Sequence, residues 1–202
     1  MAYPTVSAPY GLKPVNLIGG QVFAGSTRLM QIASGYAVNI FYGDLVQRIA
    51  DGTITKDTGT TTATPCGVFL GVQFTNGSTG QVQQQQFYPA SQSIKSGTQI
   101  FAVVADDPDT LFQVVSCSAT TTVAAMGISA IGNNVALIQN AGSTTTGNSK
   151  VAIDEGTQAT TNTLPIRIID VVRDTATGAD TFVEFIVKIN ATMHQYNNST
   201  GV

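Results

Sequence analysis

The 202-residue chain is expected to be mostly β: a β-sandwich or β-barrel body with an extended Pro-rich N-terminal arm and little helix. Three observations carry this expectation. Threonine (28), serine (13) and glycine (20) are abundant, whereas only 10% of residues are charged, against about 25% in an average soluble domain. Thr favours strands and Gly favours turns, while the helix formers Lys, Glu and Arg are scarce. Short apolar runs also recur at roughly 8–12 residues with turn chemistry between them, the spacing of a sandwich or barrel. Hydrophobic residues make up 43% of the chain, so it is not a chain too polar to fold.

Residues 1–14 hold three of the seven prolines, Pro4, Pro9 and Pro14, and two tyrosines, Tyr3 and Tyr10. Proline fixes φ and holds its predecessor extended, which excludes a helix there. The stretch reads as an arm that orders only against something else. Its available anchors are Tyr3, Tyr10, Leu12 and Val15, and together with Pro4, Pro9 and Pro14 they are the candidate contacts to a partner or neighbouring subunit. On this reading, deleting residues 1–14 leaves the melting transition nearly unchanged and weakens partner binding about tenfold or more.

The body runs over residues 15–190, with a possible division near 116–120. Candidate strands are Arg28–Ala33, Ala37–Phe41, Leu45–Ile49, Thr53–Lys56, Gly67–Phe74 and Val82–Tyr88. They continue with Gln99–Ala105, Leu111–Ser116, Asn134–Gln139, Val151–Asp154, Leu164–Arg173 and Phe182–Ile189. In the last, Val183, Phe185, Val187 and Ile189 share the more apolar face, which is assigned to the core. Asn76-Gly77 marks a hairpin turn. Thr121–Ala130 places Ala124, Ala125 and Ile128 at helical spacing, although Gly127 and the Thr run weaken that helix. Thr58–Thr64 and Gly142–Asn148 read as low-complexity loops, and the Gln83–Gln86 tract as a strand facing solvent or a partner. Residues 191–202 form a polar tail in which His194 is expected to be solvated.

Chemistry is nearly absent from the sequence. Net charge is −3, and nine scattered basic residues give no footprint for nucleic acid. One histidine excludes most zinc sites and Ser–His–Asp catalysis. No run reaches the roughly 18 apolar residues of a membrane span, and no Sec signal is expected. Cys66 and Cys117 read as buried free thiols. There is no phosphate-binding loop, nucleophile elbow or CxxC motif. Asp106, Asp107 and Asp109 around Pro108 could ligate calcium, but Asp-Asp-Pro-Asp between two apolar strands reads better as a turn. The sequons at Asn76, Asn190, Asn197 and Asn198 matter only on a eukaryotic secretory route. No enzyme activity, cofactor or metal is expected.

Several words along the chain resemble those of tailed-bacteriophage capsid decoration (cement) proteins. They are Ala8–Val15, Ile32–Tyr36, Tyr42–Asp44, Gly67–Gly71, Val104–Asp109, Ile131–Asn134 and Thr146–Ser149, spread over most of the sequence. The resemblance implies a structural virion protein on the capsid exterior, with the phage major capsid protein as partner. It also implies a small cyclic homo-oligomer, a trimer by preference, with no active site to carry over. A tail or fibre component and a carbohydrate-binding β module are the alternative readings.

Overall fold

The computed structural model describes residues 6–201. Sixteen strands follow one another with no α-helix among the described residues. After β1 (Lys13–Leu17) come β2 (Arg28–Ile32), β3 (Leu45–Arg48), β4 (Ile54–Lys56), β5 (Gly67–Thr75), β6 (Val82–Gln85) and β7 (Ile100–Ala105). The remainder are β8 (Thr110–Ser118), β9 (Thr122–Val123), β10 (Met126–Gly127), β11 (Asn134–Val135), β12 (Leu137–Ile138), β13 (Ala152–Asp154), β14 (Ile166–Val171), β15 (Thr181–Phe182) and β16 (Glu184–Ile189).

Two large sheets take fourteen of these strands, and β10 and β15 pair only with each other. In the first the order is β3-β4-β2-β7-β5-β6, and β5 pairs back onto β3. Five strands therefore close into a ring, with β6 hanging on β5 outside it. The weakest joint is the parallel β2–β4 contact, a single pair between Ile32 and Ile54. In the second sheet the order is β11-β14-β16-β8-β13-β12, and β1 and β9 also pair with β8. The long central strand β8 is buried along most of its nine residues.

The pleat joins the two sheets. Val46, Phe69 and Val104 point into the core of the ring with Met30, Ile54 and Phe74. Their sequence neighbours Leu45, Val68 and Ala105 point the other way, into a core shared with Phe112, Val114, Phe185 and Val187 of the second sheet. Successive strand residues face opposite sides, so three strands each serve both cores. Each of these buried side chains larger than alanine contributes about 1.5–3 kcal/mol.

Most candidate strands are present, and the exceptions have local causes. Ala37–Phe41 makes only one bridge, Ile40 to Tyr88. Asn134–Gln139 is broken at Ala136, because its first half pairs with β14 and its second with β13. Thr121–Ala130 is no helix: it supplies β9, β10 and a 3₁₀ turn at Ile128–Ala130. The Asn76 hairpin joins β5 to β6, but across residues 76–81, with the Asn76 side chain accepting from the N–H groups of Ser78 and Thr79. The chain passes between the sheets at 106–109, since 116–120 includes the last three residues of β8. On the core face of β16, Phe185, Val187 and Ile189 are buried as expected, but Glu184 is buried too.

Residues 13–17 are a strand of the protein's own sheet, so the extended segment that precedes it ends at Leu12. Lys13 and Pro14 lie opposite Gln113 and Phe112 of β8, and a bulge at Val15 resets the register to Asn16–Leu111.

Candidate functional site

Of the expected contact residues, Tyr3 and Pro4 lie outside the described residues. Pro9 is buried, and Leu12 is fully buried in the core between the sheets. Tyr10 is half-buried; its hydroxyl donates to the Glu184 carboxylate, and the Lys13 ammonium lies 3.9 Å from its ring centroid. Burial first, then the adjacent carboxylate, pushes the Tyr10 phenol well above its ordinary range. Pro14 sits in β1. Only Val15 keeps a substantial exposure, 37%. Leu12 and Pro9 are thus committed to their own fold and are not available to a partner.

Gly11 shows how tightly the segment is seated. Its φ is +82°, and a Cβ there would lie 2.6 Å from the Ser149 Cβ and 2.8 Å from the Gly43 carbonyl oxygen. Gly43, at φ +91°, accepts from the Leu12 N–H at 3.0 Å. Next to them Asp44 is fully buried. Its Oδ2 takes the Lys56 ammonium at 2.9 Å and the Phe41 N–H at 2.9 Å, and its Oδ1 takes the Ser149 hydroxyl at 2.6 Å. Residues from Ala8–Val15, Tyr42–Asp44 and Thr146–Ser149 therefore meet at one buried polar joint between the sheets. A buried carboxylate is tolerable only when paired and hydrogen-bonded, and both conditions are met.

A second polar cluster forms where the chain crosses at 106–109. Asp107 closes an Asx turn onto the Asp109 N–H, and the Thr110 N–H reaches the Asp107 carbonyl. The carboxylates diverge. Asp106 holds Arg28 at 2.7 Å and the Tyr196 hydroxyl at 2.7 Å, and Asp109 holds Lys188 at 2.6 Å. Among the described residues no group of three or more His, Cys, Asp and Glu is gathered closely enough to hold a metal ion.

The polar tail is docked through two of its residues, His194 and Gln195, while most of the others stay exposed. His194 is 1% exposed. Its Nδ1 accepts from the Tyr196 N–H at 3.2 Å, and its Nε2 is buried without a partner. The Gln195 side chain accepts from the Arg48 N–H at 2.8 Å and donates to the Arg48 carbonyl at 3.0 Å, standing in for a strand residue beside β3. Asn190 is buried as well, its side chain spent on the Asn162 and Leu164 carbonyls. Polar composition misled here because amides and a lone imidazole are equally at home in water and against a neighbour's backbone.

Two further groups have the wrong environment for chemistry. Burial pushes the Cys66 thiol up to about 12 and the Cys117 thiol up to about 11. At neutral pH they are protonated, and a thiol is not the reactive form.

Exposed apolar side chains recur in β1 and the turn that follows it, here called the ridge. Gly20 at φ +82° closes a tight turn after β1, with the Gly20 N–H on the Leu17 carbonyl and the Leu17 N–H on the Gln21 carbonyl. The ridge it forms leaves Val15 37%, Ile18 50% and Val22 78% exposed. Val15 and Val22 also line a cleft with Leu111, Ile169 and Ile186 on the outer side of the second sheet. Comparisons of the chain with protein-family models, with curated proteins and with solved structures found no match.

Proposed function

We propose that this is a structural virion protein that binds the outer surface of a tailed-phage capsid and stabilises it, with the major capsid protein as its partner. The observation that carries the reading is where the resembling words fall. Ala8–Val15, Tyr42–Asp44 and Thr146–Ser149 meet at the Asp44 joint, and Val104–Asp109 forms the crossing between the sheets. Gly67, which opens another of the words, is so close to the Ala105 carbonyl and Asp106 that a Cβ there would lie 2.4 Å from that oxygen. Five of the seven words that resemble decoration proteins thus supply close-packed or hydrogen-bonded positions at the joint and the crossing, and a likeness in them is a likeness of scaffold. No catalytic role is proposed. A homotrimer is proposed on the resemblance alone.

The surface offered to the shell is the one that carries Val15, Ile18 and Val22, three exposed apolar side chains within eight residues of chain, since grouped exposed apolar groups mark interaction sites. The test is binding of the purified protein to capsids that lack it. Wild-type protein should decorate them, and Val22→Asp, at a position 78% exposed, should lower affinity about tenfold or more. Failure of the wild type to bind removes the function; undiminished binding by Val22→Asp together with Ile18→Asp removes the ridge.

A further inference from the structure

Two low-complexity segments far apart in sequence, the Gln tract and the Gly142–Asn148 loop, face each other across an open cleft of about 420 Å³. Gln85, Gln86, Phe87 and Pro89 form one wall, and Thr144 to Gly147 the other. The walls are tied together. Gln86 Nε2 donates to Asn148 Oδ1 at 2.6 Å, and the Tyr42 N–H donates to the Gly147 carbonyl at 3.0 Å. Gly147 has φ +72° and sits against the Gln86 side chain, while Gly142 lies so close to Phe41 that any Cβ would overlap the ring. Phe41 in turn stacks on Phe87 with centroids 5.5 Å apart and planes 18° from parallel. The aromatic wall is therefore backed by a second ring and the opposing loop is pinned to it. The cleft is pre-formed and does not depend on its ligand for its shape.

We infer that this cleft is a binding site for a neutral carbohydrate. Its lining carries no charged side chain, which removes the attraction a phosphate, a carboxylated sugar or a basic peptide would use. It offers instead the three things a neutral sugar takes. A half-buried phenyl ring and a proline present apolar surface to the C–H face of a pyranose. Two glutamine amides supply both donors and acceptors for adjacent hydroxyls. Three threonine hydroxyls complete the opposite side. A purely apolar ligand would bury these amides and hydroxyls unpaired, each at about 1–3 kcal/mol. The volume falls within the range of about 300–1,000 Å³ typical of small-ligand pockets. The inference is independent of capsid binding, which the proposed function places on the ridge of Val15, Ile18 and Val22.

The experiment is a titration of the full chain with neutral trisaccharides of glucose, galactose and N-acetylglucosamine, and with neutral polysaccharides of the same sugars, followed by backbone amide chemical shifts. At least one probe should shift amides confined to 85–89 and 144–147, with affinity in the millimolar range or tighter. Binding to the trisaccharides marks free short sugars as sufficient; binding to the polymers alone marks a surface-borne glycan, and either supports the site. Phe87→Leu, which keeps apolar bulk but loses the ring face, and Gln85→Ala, whose amide is not part of the tie to Asn148, should each weaken binding about tenfold, the latter with an unchanged melting temperature. No shifts with any probe, shifts elsewhere on the molecule, or binding untouched by both variants would overturn the inference. Capsid occupancy measured on the same variants should stay at the wild-type level, so that failure of this site and failure of the decoration reading are read separately.

Discussion

The first sheet takes all its strands from residues between Arg28 and Ala105 and closes its own ring. The second borrows β1 from the far end of the chain, with Lys13 opposite Gln113, and is incomplete without it. Both halves are all-β with fully buried aromatic residues, Phe69 and Phe74 in one, Phe112 and Phe185 in the other. They differ in what secures them. The ring is held by pairings within one stretch of chain, whereas the second sheet depends on a strand about a hundred residues distant, whose contacts must offset the entropy of closing that loop. Each half also holds one buried thiol. Cys66 lies in the core of the ring, and Cys117 in a small cluster that Val6 and Tyr10 help to cover. The thiols are therefore natural reporters of the two halves.

Removing residues 1–14 should break the symmetry most. It deletes Leu12, whose loss alone is expected to cost about 2–5 kcal/mol, and with it two register positions of β1 and the Tyr10 contact with Glu184. This replaces the expectation that the segment can be deleted without thermal consequence. In the truncated chain Cys117 should react with a thiol reagent at least about tenfold faster, with a much smaller change at Cys66. Equal acceleration of both thiols would show that the halves do not open separately.

Next in size is the joint that belongs to both halves. Lys56→Met leaves the fully buried Asp44 without its ammonium partner, a change expected to cost about 3–5 kcal/mol. Ser149→Ala should cost less, about 1–3 kcal/mol, for the lost hydroxyl donor. Because the joint lies between the sheets, here both thiols should become more reactive together. Denaturant unfolding gives the stabilities, and a loss below about 1 kcal/mol for Lys56→Met would remove the joint from this account.

The docked tail predicts a pH effect of intermediate size. Burial lowers the His194 pKa, opposed by Asp106 and Asp107 of the crossing turn and reinforced by Lys188 of β16; the Tyr196 ring lies 5.2 Å from the imidazole, centroid to centroid. The folded state thus binds the proton less readily than the unfolded chain. His194 contributes full stability above its unfolded pKa, about 6.5, and that contribution is lost as pH falls below it. Protonation must also occur at Nδ1, the atom that accepts from Tyr196, so acid loosens the tail against β3. His194→Asn, whose Oδ1 preserves the acceptor without titrating, should flatten the fall in stability as pH drops below about 6.5. An identical pH dependence in the variant and the wild type would assign it to another group.

The smallest effect belongs to the exposed side of the crossing. Arg28 is 64% exposed at its side chain where it meets Asp106, and such pairs contribute about 0–1 kcal/mol. Arg28→Ala should therefore leave both thiol reactivities within about twofold of wild type.

Much of this fold is written in neighbouring residues. The alternation of Phe182–Ile189, the apolar run of Gly67–Phe74 and the turn residues of Asp106–Asp109 each specify their local geometry, because strand pleat and turn conformation are decided over two to four positions. What the neighbours of a residue cannot state is which distant surface it meets. Lys13 and Pro14 read as the end of a Pro-restricted arm until β8 is placed beside them, and β1 then uses Pro14 at a position next to a bulge. Glu184 sits on the expected polar face of its strand, yet Tyr10, from the other end of the chain, covers it. His194 and Gln195 belong to a segment as polar as any solvated tail. His194 is buried and Gln195 half-buried: Arg48 leaves a backbone donor and acceptor open at the edge of β3, and Gln195 satisfies both. Local pattern fixes the period and the turns; the pairing of edges separated by a hundred residues follows from which unsatisfied backbone groups and apolar faces the folded chain brings together.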